Sequence, residues 1–498
     1  MRHMMPKRHC CDEDARSAGY VTPGYTLLCT ASQKTVIFVD FSQKRAIRSQ
    51  RALGADILML IAFRFKNFRS FAGDGELSLL SHRADKAMPD SLIEGPRGTR
   101  LPSKILPAIA IYGANSAGKT NVLEALVYLR SAITESHSTW RPNSGTRCDR
   151  FLTKAKQSEP MTIEADFICD QIRYSYGISA NNAAFEEEWL YQYYKGKEIP
   201  IFVRRSSKQG KNYVSEVEFD QKFGGDETYR NSIIAKTRDN SLFLSTAAQD
   251  NHPICQSIYK WFEGKIELIS LGSGNDRANS MATARLFDKE EDQFAKKQVL
   301  SLLQTIDPAI FDIRVEKSSG DEIPSFIKEV LENHAATAFQ DLYSYKIEFV
   351  LKRSKTTIVL PYRRQSNGFK RFFSMCMDII YALSTGSILL VDELEAGIHP
   401  HVARMVIEMF QNKDINFGRG QIIFTTHDTN ILDQSLLRRD QIWFVEKNNL
   451  ESRLYSLLEY TPRKDENLER GYLRGRYGAI PALGLDLSLS SAGPTFTE

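Results

Sequence analysis

The sequence predicts an α/β protein with a mixed central sheet flanked by helices, an antiparallel subdomain and an inserted helical lobe. Three observations predict it. The apolar segment "ILPAIAIYG" runs directly into the glycine-bearing loop "GANSAGKTN", which opens a stretch with apolar residues at helical spacing. The segments "SILLVDE" and "QIIFTTH" have the unbroken hydrophobicity of strands covered on both faces. Residues 160 to 205 alternate in segments divided by short breaks such as "ANNA", the pattern of consecutive antiparallel strands.

Taken in order, residues 1–57 are polar and patternless apart from "TVIFVDF", which reads as a strand. They are expected to be a disordered extension or a non-native start, because a further methionine, Met59, opens the strongly alternating "MLIAFRFKNFRSF". His9, Cys10, Cys11 and Asp12 adjoin one another but lack the spacing of metal ligands. Residues 58–224 form the first half of the core: the strands "LIAFRFKNF" and "GELSLL", the strand and loop above, a helix carrying Val122, Leu126, Leu129 and Ile133 on one face, and the alternating strands. Residues 225–343 read as a helical insertion, with Val299, Leu302 and Leu303 on one face of "QFAKKQVLSLLQTI" and a similar pattern in "IPSFIKEVLENHAATAFQDLY". Residues 344–481 return to strands and helices, ending in "QIWFVEK" and "RLYSLLE", and residues 482–498 are a tail.

Bulk properties exclude several classes. A chain of 498 residues, 42% apolar and 25% charged, forms a sizeable core, and a net charge of +4 excludes a surface that is basic everywhere while leaving local patches open. The seven cysteines are scattered without a C-x-x-C pair, which suits free thiols in a reducing compartment, so the expected location is cytoplasmic. No apolar run reaches the roughly 18–20 residues needed to cross a bilayer. No membrane association is expected.

The loop carries the chemistry. Gly113, Ala114, Asn115, Ser116, Ala117, Gly118, Lys119, Thr120 and Asn121 fit G-x-x-x-x-G-K-[ST] followed by Asn, between a strand and a helix. In that context backbone N–H groups wrap phosphates, the lysine adds charge and the hydroxyl reaches a magnesium ion. Asp392, at the end of "ILLVDE", is placed to hold Mg²⁺, and Glu393 beside it to polarise an attacking water. An Asp-Glu pair elsewhere is a surface ion pair, but the strand before this one is wholly apolar. His427 ends another buried strand, where a neutral imidazole donates to a γ-phosphate. In "RRQSNGFKRFF", Ser366 and Gly368 stand at the start of an apolar helix, either as an ordinary cap or as a phosphate grip for a second subunit.

These motifs, in this order, resemble the ABC-type ATPase heads of the SMC, RecF and OLD proteins. "NFRSF" before the loop, "GKTN" within it, "VDELEAGIHP" and "TTHD" are most similar to the OLD-like AAA-family ATPases of bacterial defence loci, including the ATPase subunits of PARIS and Septu and the RloA-like proteins. "RKDENLERGYLRGRYGAIP" (463–481) is similar to the C-terminal motif of the RloA-like branch; read on its own, it is either a contact loop for phosphate, nucleic acid or a partner, or a segment whose Tyr472 and Tyr477 pack the chain end. The signature segment Ser366-Asn367-Gly368-Phe369 departs from the S-G-G-Q of transporters, no glutamine is assignable as a Q-loop, and the 71 residues after His427 leave no room for the TOPRIM domain of OLD nucleases.

The resemblance implies a homodimer or higher homo-oligomer that sandwiches two ATPs, each with Mg²⁺. Lys119 and the loop hold the phosphates, Thr120 and Asp392 the metal, Glu393 the water and His427 the γ-phosphate, with Ser366 to Gly368 reaching across. The expected function is an ATPase switch in anti-phage, abortive-infection type defence that controls a separately encoded nuclease or toxin, with nucleic acid a further partner. The alternative is a RecF- or SMC-like clamp on DNA, although the insertion lacks the sustained heptads of a long coiled coil. A transporter's nucleotide-binding subunit fits less well, since the signature differs.

Overall fold

The computed structural model describes residues 59–210, 212–269, 273–287, 293–318, 345–463 and 466–480, together with short strands between Val21 and Asp40. They fall into two compact units, one of residues 56–276 with 367–498 and one of residues 1–55 with 277–366. The segment 323–343, read as helical from its pattern, the tail 482–498 and most of residues 1–57 lie outside the described residues.

In the smaller unit, three short strands, β1 (Val21–Thr22), β2 (Tyr25–Cys29) and β3 (Val36–Asp40), pair antiparallel in order, and "TVIFVDF" supplies the last of them.

The larger unit begins with β4 (Met59–Phe68) and β5 (Phe71–Ser78), the two arms of a hairpin that turns at Arg69-Ser70, and continues to β6 (Ala108–Gly113). The alternating stretch forms β7 (Met161–Cys169), β8 (Ile172–Ala180), β9 (Phe185–Tyr194) and β10 (Lys197–Gln209), followed by β11 (Asn212–Phe219). These make a seven-stranded antiparallel sheet in the order β11-β10-β9-β8-β7-β4-β5.

The residues after 225 are helical over Glu227–Lys236, Phe243–Gln249 and Pro253–Lys265, but "IELI" then forms β12 (Ile266–Ile269). Four residues of parallel pairing with a distant strand outweigh the local helical texture, because both faces are covered once β12 joins a sheet.

The smaller unit resumes with the helix Gln293–Ile306, which buries Val299, Leu302 and Leu303 as its spacing predicts, and an antiparallel sheet of β13 (Ile310–Lys317), β14 (Tyr345–Arg353) and β15 (Thr356–Pro361).

The larger unit is completed by the helix Asn367–Thr385, β16 (Ile388–Val391), the helix Pro400–Gln411, β17 (Gln421–Thr425), β18 (Ile442–Asn448) and β19 (Glu451–Ser456). Its second sheet has the order β12-β16-β17-β6-β18-β19, parallel throughout except for the final hairpin. Every residue of β6, β16 and β17 is buried, which explains why these strands read as continuous apolar runs. The core includes Ile109, Ile111, Val122, Leu126, Phe167 and Trp261, drawn from both sheets and the helices Lys119–Glu135 and Pro253–Lys265. Gln421 ties the sheets together: buried, it accepts from Leu60 N (2.8 Å) and donates to Leu60 O (3.0 Å).

Candidate active site

Register decides where the motifs meet. Val391 lies beside Phe424 and Thr425 beside Ile111, so Asp392, Thr426-His427 and the loop after Gly113 all leave the sheet at the same edge, the C-terminal ends of adjacent parallel strands. That edge is where open α/β sheets place ligands.

The loop from Ala114 to Gly118 runs between β6 and the helix Lys119–Glu135. Ser116 (φ 60°) and Gly118 (φ 107°) adopt the left-handed conformation, which turns successive N–H groups inward as an anion nest. No side chain caps the helix, so its first N–H groups are not claimed by a cap. A Cβ on Gly118 would lie 2.5 Å from Ser70 Oγ and 2.7 Å from Ser452 Oγ. Gly113 needs its hydrogen for another reason, since a Cβ there would strike the Val445 carbonyl of the neighbouring strand.

Lys119 is buried, and its ammonium donates to the carbonyls of Gly113 and Ala114 (both 3.1 Å) and meets His427 Nε2 at 2.8 Å. An ammonium has no lone pair, so Nε2 accepts and the ring proton sits on Nδ1. Burial lowers the lysine's pKa, and Glu393, Asp392 and Glu395 pull it back up. Burial, then the Lys119 charge, lower that of His427, which keeps the imidazole neutral at pH 7.

Thr120 Oγ1 donates to Asp392 Oδ1 at 3.0 Å and lies 3.1 Å from Oδ2, joining the loop to the end of β16 across 272 residues. Two residues that sequence reading passed over complete the arrangement. Thr425, fully buried at the end of β17, donates to Asp392 Oδ1 (2.7 Å) and accepts from Glu393 N (2.7 Å). It thereby holds Glu393, whose side chain is half-buried, in a left-handed turn (φ 48°) just beyond the end of β16. Glu395 accepts from His427 N (2.5 Å) through Oε1, while its Oε2 is shielded from solvent and has no hydrogen-bond partner among the described residues. The signal for Thr425 was the doubled threonine of "TTH", two hydroxyls at the end of an otherwise apolar strand. Glu395 had only its place two residues after Glu393.

Other expected site residues have different neighbours. Asn121 donates its amide to Ser70 Oγ (2.7 Å), which also receives the Ser452 hydroxyl (2.8 Å), so "GKTN" and "NFRSF" meet as a fastening between hairpin and loop. Asn115 and Ser116 are exposed at the loop tip, and Ala117 is buried. Gly368 lies in the first turn of its helix with no room for a Cβ, because the Gly397 carbonyl occupies that space. Ser366 is exposed and immediately precedes the helix.

Beside Asn121 opens a pocket of about 430 Å³, lined by Arg69, Arg150, Phe151 and Lys447 and flanked by the exposed Leu152 and Leu450. In the C-terminal motif Tyr472 and Tyr477 are buried against Phe444 at 5.6 and 5.8 Å between ring centres, while Arg463, Arg470, Arg474 and Arg476 are exposed. Tyr455 donates to the Tyr477 carbonyl (2.8 Å), and Glu469 accepts from Thr429, two residues after His427 (2.9 Å).

Among the described residues no helix is long and apolar enough to cross a membrane. Among solved structures, the chain is similar to an SMC head bound to the C-winged helix domain of ScpA, at 11% identity and a TM-score of 0.37, over 80% of this chain and 97% of that one. It is similar to the SMC head with an extended coiled coil bound to the C-terminal domain of ScpA from Pyrococcus furiosus (10%, TM-score 0.36, 81% and 98%). The SMC head with a coiled coil and joint from Pyrococcus yayanosii is a third (10%, TM-score 0.34, 81% and 100%). Likenesses this remote carry nothing about function. No curated protein matches the chain. Residues 108–433, well over half of it, match the model of a family described as "AAA domain, putative AbiEii toxin, Type IV TA system". The matched span runs from the first residue of β6 past His427 and so takes in the whole strand-end arrangement: the chain belongs to this AAA-domain, P-loop family.

Proposed function

We propose that the protein binds and hydrolyses ATP as the switch of an abortive-infection type anti-phage system, in which ATP joins two copies head to head and the dimer governs a separately encoded nuclease or toxin. One observation carries the ATPase reading: Lys119, Thr120, Asp392, Glu393 and His427 converge at the ends of adjacent parallel strands, with the Thr120 hydroxyl already on Asp392. The toxin and type IV TA wording of the family description supports the defence reading. So does the resemblance to OLD-like and RloA-like ATPases.

In this reading the loop N–H groups and Lys119 grip the phosphates, and the adenosine lies in the pocket beside Asn121, whose exposed leucines offer apolar cover to a base. The oxygen-only donor set of Thr120 and Asp392 fits Mg²⁺, and the shielded carboxylate of Glu395 adds negative charge near Lys119 and His427. Among the described residues no three His, Cys, Asp or Glu side chains form a ready-made metal cage, so magnesium here would share its shell with the phosphates. Bound there, it would neutralise charge on the transferred phosphoryl group. Glu393 orients and deprotonates the attacking water. Lys119 releases His427 Nε2 to reach the γ-phosphate, and the imidazole, in its Nε2–H tautomer, donates to the same group. The Ser366 to Gly368 segment of the second copy closes the site.

Purified wild-type and Glu393→Gln proteins test the chemistry by steady-state ATPase assay and by light scattering with and without Mg·ATP. The variant should bind ATP, lose turnover by about 100-fold or more, and persist as a dimer. Normal turnover would end the general-base assignment. Ser366→Arg should weaken the ATP-dependent dimer. Capture of Glu393→Gln from its host, with and without phage, should recover a neighbouring-gene nuclease or toxin; chromosomal DNA alone, indifferent to infection, would favour the DNA clamp.

A further inference from the structure

We propose that the β14–β15 hairpin is a ribbon for binding duplex DNA through its phosphates. Lysine plus arginine (65) and aspartate plus glutamate (61) nearly balance over the whole chain. Between Phe349 and Gln365 the balance is lost: Lys352, Arg353, Lys355, Arg363 and Arg364 occur with no acidic residue, and all five are exposed. Antiparallel pairing from Glu348 opposite Pro361 to Arg353 opposite Thr356 brings the first three cations to the tip, around Ser354 in a left-handed turn (φ 54°). Arg363 lines a small cleft at the base together with Arg277 and Lys346.

The acidic groups of the sheet do little to cancel this charge. Asp312 pairs with Lys296 (2.9 Å) and Glu348 with Lys346 (2.8 Å), which leaves Glu316 on β13 as an exposed carboxylate with no ion pair among the described residues. Arg353, Lys355 and Arg364 have no ion pair among the described residues. The exposed Arg314 of β13 adds to the positive side.

Shape favours duplex DNA over an acidic protein. β15 is an edge strand with Thr356, Thr357, Ile358 and Val359 all exposed, and β14 pairs with β13 only as far as Leu351, so the tip from Lys352 to Thr357 runs past the third strand. A two-stranded tip, with strands about 5 Å apart, is narrower than a major groove about 12 Å wide. Threonine hydroxyls beside arginine and lysine are the usual phosphate contacts. Cations on an edge strand also discourage edge-to-edge aggregation, but that role needs one or two along the strand and does not call for Arg363 and Arg364 beyond its end.

The inference does not rest on the ATPase reading and is tested apart from it. Binding of the full chain to a fluorescent 30-base-pair duplex is measured by anisotropy across a salt series, for wild type, for Arg353→Glu with Lys355→Glu, and for Lys195→Glu with Lys197→Glu, an equal charge change on exposed residues of the β9–β10 hairpin. Far-UV circular dichroism and a thermal melt of each variant report that it is folded. The ribbon variant should lose duplex affinity by at least about tenfold, and its slope of log K against log salt should shrink by about 2, while the control stays near wild type. Unchanged affinity and slope in the ribbon variant, an equal loss in the control, or displacement of the duplex by poly-glutamate at matched charge would each overturn the proposal.

Discussion

Replacing Thr425 by valine removes a hydroxyl while keeping the shape of the side chain, and it tests how the end of the sheet is held. That hydroxyl donates to Asp392 Oδ1 and accepts from Glu393 N, both at 2.7 Å, from a fully buried position. The bond to a carboxylate is worth about 1.5–3 kcal/mol, and leaving a buried N–H unpaired costs about 1–3 kcal/mol. Thr120 still donates to Asp392, and Leu394 N still reaches the Thr425 carbonyl (3.0 Å), so part of the turn survives. A net loss of about 2–4 kcal/mol in stability is therefore expected. Function should fall as well, because the Glu393 turn at φ 48° loses the bond that anchors it. A residue freed to wander by about 1 Å loses on the order of 10- to 100-fold in rate. Urea unfolding and steady-state ATPase assays read the two effects. Thr425→Ser, which retains the hydroxyl, should keep turnover within a few-fold of wild type. A Thr425→Val protein with native stability and native turnover would refute the reasoning, and an equally inactive Thr425→Ser would transfer the effect from the hydroxyl to packing.

Lys119→Ala should abolish measurable ATP binding by calorimetry, since it removes the only buried ammonium among the described residues at the loop. Gly368→Ala should cost about 1–3 kcal/mol by overpacking in the nucleotide-free monomer, because its Cβ meets the Gly397 carbonyl within one chain; an effect confined to the ATP-bound dimer would show instead that this glycine serves only the second subunit. For pH the sign follows from His427, whose pKa in the fold is depressed by burial and by Lys119, so the unfolded chain takes up the proton first as pH falls. Its contribution to stability is complete above the ordinary histidine value of about 6.5 and is lost progressively below it. Burial pushes Asp378 up to about 7, which acts in the opposite direction, so the readout is the difference between proteins: in thermal melts of the nucleotide-free protein between pH 7.5 and about 5.5, wild type should lose more Tm, or gain less, than His427→Gln. His427→Gln removes only part of the histidine contribution, because burial depresses His252 and His137 in the same direction.

The motifs were legible because they are local. A strand, a loop of fixed glycines and a helix cover consecutive residues, and the buried strands β6, β16 and β17 announce themselves by unbroken hydrophobicity. The antiparallel strands of 160–205 were legible by alternation. By contrast, β12 looked like part of a helical stretch, since four residues carry too little periodicity to outweigh the helices on either side.

By itself, then, the sequence determined the α/β class, the phosphate loop and the chemical identities of Lys119, Thr120, Asp392, Glu393 and His427, all of which depend on patterns spanning a few residues. Tertiary structure alone decided that Thr425 fastens Asp392 and Glu393, that Gln421 clasps Leu60 across 361 residues, that Asn121 binds Ser70 and that Tyr472 and Tyr477 pack inward. These contacts depend on the register of strands far apart in the chain. Shifting one strand by a single residue would turn its side chains to the opposite face, and local patterning carries no record of which distant residue a side chain will then meet.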